Sequence, residues 1–177
     1  MPATYEDLVR LDLPEWQIGE IVAGALVVRR LPRPRGTNAY SALIALLRGP
    51  ARHDWWILPR VELCLGSDVL VPDLSGWTRE RMPKIEDVPW IELPPEWACD
   101  VLTDESRAVV RDMKPDVYAR HRVADWWIVD AEEETVEVKR LNGGGYATSA
   151  VVKGDVVLCA RPFEDTEIEL RYLWGHH

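Results

Sequence analysis

Three polar side chains stand where the sequence is otherwise apolar. Asp73 follows Pro72 in VLVPDLSGW, Asp100 is embedded in EWACDVLTDES, and Lys114 falls at the start of a helix-like run from Met113 to Arg122. Pro72 has no N–H for a strand ladder, so Asp73 is expected at a sheet edge or a bulge, where backbone irregularity re-aims side chains. A carboxylate flanked by Cys99 and Val101 is costly to bury unless it is paired or bound to a cation. Two such acids on neighbouring strands would make an oxygen site for Mg²⁺ or Mn²⁺. The local pattern is equally compatible with Asp73 capping a turn and Asp100 pairing with an arginine. Lys114 and Tyr118 are four apart and share a helical face. From there the lysine could orient a water or offset phosphate charge, although on its own it reads as a surface lysine.

The elements that must position these residues follow from pattern and punctuation. Thr4 caps a short helix to Leu11, with Asp7 as its reciprocal partner. WQIGEIVAGALVVRR alternates around Ala23-Gly24 and predicts a β-hairpin. After the loop LPRPRGTN, Thr37 or Asn38 caps a helix over Ala39–Leu47, which Gly49-Pro50 ends. WWILPRVELCL and VLVPDLSGW form strands joined at Gly66-Ser67-Asp68. The proline-rich stretch 79–95 is a long connection. EWACDVL, DWWIVD, TVEVKRL and YATSAVV read as strands, the last two turned by Gly143-Gly144-Gly145. Asp112 caps the helix that carries Lys114, with Pro115 in its first turn. A last strand covers Glu167–Leu173. The sum is an α/β mixed sheet with helices on it, in one domain over residues 1–177.

Composition narrows the function. A chain with 47% hydrophobic and 29% charged residues is not disordered by default. Nine tryptophans against one phenylalanine place several indoles half-buried, at core edges or in an interface such as a homodimer. No secretory leader or long apolar span is recognised. Cys64, Cys99 and Cys159 read as buried free thiols, so the expected location is cytoplasmic. A net charge of −9 opposes uniform coating on nucleic acid. Charge is nevertheless uneven, with Arg29, Arg30, Arg33, Arg35, Arg48, Arg52 and Arg60 set against the single acid Asp54 between Val28 and Arg60. This stretch is either a solvated arginine-rich surface or a stripe facing phosphates. His53, His121, His176 and His177 have no metal-ligand spacing, the acids from Asp130 to Glu137 read as solvated, and no phosphate-binding glycine loop precedes a helix.

GEIVAG, VPDLSGW, PPEWACDVLTDES, RDMKPDVYARHRVADWWIVD and TVEVKRLNGGGY, in this order, resemble the Uma-type restriction endonuclease family of the PD-(D/E)XK nuclease superfamily. The stretch from Pro94 to Asp130 carries the strongest likeness. The resemblance implies a restriction-endonuclease-like fold with an N-terminal β-hairpin, and Mg²⁺- or Mn²⁺-dependent hydrolysis of DNA phosphodiester bonds. It makes Asp73 the first metal-binding acid, Asp100 the second where Glu is usual, and Lys114 the catalytic lysine displaced onto the helix, since Leu102 holds its strand position. Glu20 matches an acid that reaches the same site, and Asp112 and Tyr118 match positions of less defined role. Arg29, Arg30, Arg33 and Arg35, with Tyr118, are the expected contacts to nucleic acid. Thr103-Asp104-Glu105-Ser106 replaces the family's Ser-Pro-Ser-Thr turn, and Thr37-Asn38 replaces a helix-opening His. The competing expectation is a nuclease fold that has lost catalysis and serves as a binding or interaction module.

Overall fold

Strict alternation decides which way the central strands point their side chains. The computed structural model describes residues 1–51 and 53–176; Arg52 of the basic stretch and His177 lie outside the described residues. The strands β1 Gln17–Val22, β2 Ala25–Arg30, β4 Leu63–Leu65 and β5 Asp68–Leu70 form a four-stranded sheet in the order β2-β1-β5-β4. The strands β3 Trp55–Pro59, β6 Leu74–Thr78, β7 Trp97–Val101, β8 Asp125–Asp130, β9 Thr135–Asn142 and β10 Gly145–Lys153 form a six-stranded sheet in the order β10-β9-β8-β7-β6-β3. Only β7 and β8 pair in parallel there. Every residue of these two strands is buried, as expected for a parallel pair covered on both faces.

On β7, Trp97, Cys99 and Val101 face one side and pack with Ala39, Leu43 and Leu47 of α2 (Pro34–Ala51). Ala98 and Asp100 therefore face the other side, where Val117 and Tyr118 of α3 (Lys114–Arg120) and Trp126 of β8 pack. Val22, Leu63, Leu65 and Leu70 of the smaller sheet share that second core. The hairpin and α3 are thus drawn to one place by apolar packing, and their polar residues arrive with them. Ala23 at φ 52 and Gly24 at φ 79 make the tight turn that closes the hairpin.

Several sequence expectations shift. Helix α1 is shorter, Tyr5–Val9, but keeps its Thr4–Asp7 capping box. Helix α2 begins at Pro34, whose fixed φ suits a first turn. Thr37 donates to the Pro32 carbonyl and the Asn38 amide donates to the Tyr172 and Leu173 carbonyls, so neither is the cap. The helix ends at Ala51, just past the expected stop. Asp112 is not a cap either: it lies in a π-helical turn, Val109–Met113, that runs directly into α3. The expected last strand is a two-residue β12, Ile168–Glu169, paired with β11 Val157–Leu158 and followed by α4 Arg171–Trp174. Trp55 and Trp56 are half-buried as expected, while Trp77, Trp97, Trp126 and Trp127 are wholly buried, and Cys159 is exposed. Asp130 is buried against Arg107 and Glu137 pairs with Arg111, so the acid run is only partly solvated. Among the described residues no helix is long and apolar enough to cross a membrane.

Candidate active site

Asp73 sits between β5 and β6, Asp100 one strand across on β7, and Glu20 on the hairpin strand β1. Lys114 reaches them from α3. The π turn before it adds a residue to the helical repeat, and such turns recur at functional sites. Lys114 is 0% exposed, so the surface-lysine expectation is wrong. Its ammonium donates to Asp100 Oδ1 at 2.7 Å and pairs with Glu20 Oε1 at 2.9 Å.

Asp100 is bonded on every side. Its Oδ2 accepts from the Tyr118 hydroxyl at 2.9 Å and from the Trp126 indole at 3.0 Å. The expected arginine partner is therefore a lysine. Tyr118, expected as a contact to nucleic acid, is 0% exposed, and its hydroxyl is committed to Asp100.

Asp73 is also buried but differently served. Its Oδ2 accepts from the Val101 N–H at 2.8 Å. Among the described residues Oδ1 has no hydrogen bond; it faces Arg60 Nε at 3.5 Å and Arg29 Nη1 at 3.9 Å, two nitrogens that likewise have none. Arg29, expected to grip phosphate, is buried as well: Nε donates to Glu20 Oε2 at 3.0 Å and Nη2 to the Val71 carbonyl at 2.6 Å. The Val71 N–H in turn donates to Glu20 Oε1 at 2.8 Å.

These surroundings set the charge states. Burial pushes Asp73 above its usual value; the opposing Arg29 charge does not overcome it, and the Asp100 charge adds to it. Burial would raise Glu20 too, but Lys114 and Arg29 outweigh it and hold Glu20 low. Burial would lower Lys114, yet Asp100 and Glu20 keep it raised and protonated. The Tyr118 hydroxyl is held well above its usual value by burial and by Asp100, so it remains a donor.

Arg60 is the side chain of this cluster that reaches solvent, at 23% exposed. Its guanidinium lies over the Tyr40 ring at 4.4 Å. With Val71, Gly19 and Glu62 it lines a groove of about 380 Å³. A second groove, of about 370 Å³, is lined by Trp16, Arg30, Arg33, Arg35, Thr103 and Glu105, among others. Arg33 and Arg35 are exposed there, while Arg30 pairs with Glu105 at 3.5 Å. The Thr103–Ser106 turn closes on itself through mutual side-chain bonds, so its acids project outward.

Arg60 and Trp126 were absent from the expected site. A tryptophan in an all-buried strand needs an acceptor for its N–H, which was the one available clue to Trp126. Nothing in the pattern singled out Arg60 from the other arginines.

Among the described residues no three His, Cys, Asp or Glu side chains come together as a metal cluster. Two carboxylates suffice for Mg²⁺, which keeps several waters. Asp73 Oδ1, buried and unbonded beside Asp100, suits that role; Glu20 is held off by Arg29.

The Uma2 family, described as "putative restriction endonuclease", matches residues 4–171. Among solved structures, a crystal structure of "a putative nuclease belonging to DUF820" from Anabaena variabilis ATCC 29413 superposes with a TM-score of 0.80. The two are 19% identical over 98% of each chain, a likeness of fold. No curated protein matches the chain.

Proposed function

The chain belongs to the Uma2 family, and from that premise we propose that it is a metal-dependent endonuclease that hydrolyses DNA phosphodiester bonds at the Asp73–Asp100–Lys114 centre. The observation that carries this reading is Asp73 Oδ1, a buried carboxylate oxygen with no hydrogen bond, next to a second buried carboxylate. Leaving such an atom unsatisfied costs about 1–3 kcal/mol unless a ligand uses it.

Asp73 and Asp100 would hold one Mg²⁺ or Mn²⁺. The ion would supply Lewis acidity toward the scissile phosphate and a more acidic water. Lys114 stays charged, so it is not a general base. It fixes Asp100 and offsets negative charge growing on the phosphate. Tyr118 and Trp126 lock Asp100 in one orientation. Arg60, at the groove and joined to Asp73 only at ion-pair distance, would turn to a substrate phosphate. Arg33 and Arg35 would grip flanking phosphates from the second groove.

One observation favours a second reading, a nuclease fold retained as a binding module. The three acids are already matched by Arg29, Arg60 and Lys114, so the centre is neutral without a ligand. Cleavage of supercoiled plasmid, linear duplex and single-stranded DNA with Mg²⁺ or Mn²⁺, run beside Asp73→Ala, separates the two. Metal-dependent cutting lost in the variant supports the nuclease. Cutting that survives in Asp73→Ala removes the mechanism, and no cutting on any substrate favours the module.

A further inference from the structure

Glu20 matches an acid expected to reach the metal site, yet a guanidinium stands between it and Asp73. Arg29 Nε lies 3.0 Å from Glu20 Oε2, and its Nη1 lies 3.9 Å from Asp73 Oδ1. The third nitrogen is tied to the Val71 carbonyl at 2.6 Å. The side chain is 2% exposed, and its carboxylate neighbours keep it charged.

We infer that Arg29 is a built-in cation occupying the position between Glu20 and Asp73, so that the centre takes one divalent metal, at Asp73 and Asp100, and Glu20 is not a ligand. This rests on the metal-dependent reading above. Two-metal nucleases hold their ions about 3.5–4 Å apart between shared carboxylates. Here that space is filled by a guanidinium held by two hydrogen bonds, with its remaining nitrogen facing Asp73 Oδ1 at 3.9 Å.

Charge balance argues the same way. The three acids are matched by the three bases in the resting centre. One divalent cation with one phosphodiester adds a single positive charge, which a flanking phosphate met by Arg60 would offset. A second divalent cation would leave two positive charges uncompensated in the interior, where charge is expensive.

Arg29 is thus a positioning residue that sets metal stoichiometry. The test is Mn²⁺ binding followed by the EPR signal of free Mn²⁺, which counts ions without requiring activity. The wild-type chain should take up one Mn²⁺. Arg29→Met, which opens the space and frees Glu20, should take up two. Arg29→Lys, which keeps the charge, should stay at one. Arg29→Met is at risk of misfolding, so Glu20→Gln/Arg29→Met removes an acid and a base together. It should fold and bind one ion with an affinity within about threefold of wild type. Two ions in the wild type, or loss of binding in the double variant, would overturn the inference while leaving a metal nuclease intact. No Mn²⁺ uptake by the folded wild type would overturn the metal reading and this inference with it.

Discussion

Asp100 and Asp73 lie one strand apart, both shielded from water, and the two sides of the centre treat them in opposite ways. On the α3 side, Asp100 receives Lys114, Tyr118 and Trp126. On the side of the β5–β6 connection, Asp73 receives one backbone N–H and keeps an oxygen bare between two arginines. Three donors fix Asp100 in one orientation, whereas Asp73 keeps an unbonded oxygen and its burial opposes ionisation. The helix side is the scaffold that holds Asp100 ready as a ligand, and the turn side is the working face.

The largest expected effect comes from removing the scaffold's cation. Lys114→Met strands Asp100 and Glu20 in the interior and should cost about 3–5 kcal/mol of unfolding free energy, read from urea denaturation. A loss below about 1 kcal/mol would mean that the two acids are not paired as described.

Acid attacks the same pair from the other partner. Glu20 titrates below its ordinary 4.5 in the fold. Its contribution is therefore present above pH 4.5 and is lost as pH falls through its lowered value. Asp73 has the opposite sign: held above 3.8, it contributes below pH 3.8 and that contribution is lost as pH rises through its raised value. On acidification from neutral pH to below 3.8, wild type should thus lose more stability than Glu20→Gln, and less than Asp73→Asn. Parallel curves for all three would contradict these charge states.

Smaller changes sharpen the contrast. Tyr118→Phe deletes one donor to Asp100 and should cost about 1.5–3 kcal/mol, the range for a hydrogen bond to a charged group. Asp73→Asn should stay within about 1 kcal/mol of wild type at pH 7, because the amide keeps an acceptor for Val101 and removes a penalised charge. If Asp73→Asn proved the more damaging of the two, the division into scaffold and working face would be reversed.

How much of this could be read beforehand depended on the range of the interaction. The short apolar runs WACDV and DWWIVD marked buried strands, and four-residue spacing put Lys114 and Tyr118 on one face. Proline and glycine marked the turns. What local pattern could not supply was direction: Lys114 points inward to Asp100 and Glu20, acids 14 and 94 residues away in the chain. Arg29 and Arg60 looked like their exposed neighbours Arg33 and Arg35, because burial of an arginine depends on acids far away in the chain. Asn38 does not cap α2 because its side chain is engaged by the carbonyls of Tyr172 and Leu173, more than a hundred residues on.

The central claim is that Asp73 Oδ1 is an open ligand position. Calorimetric titration of Mn²⁺ into the wild-type chain and into Asp73→Asn tests it most directly, since that substitution is expected to leave the fold standing. Saturable binding to the wild type and none to Asp73→Asn is the expected result. Equal binding to both, or no binding to the wild type, would contradict the account.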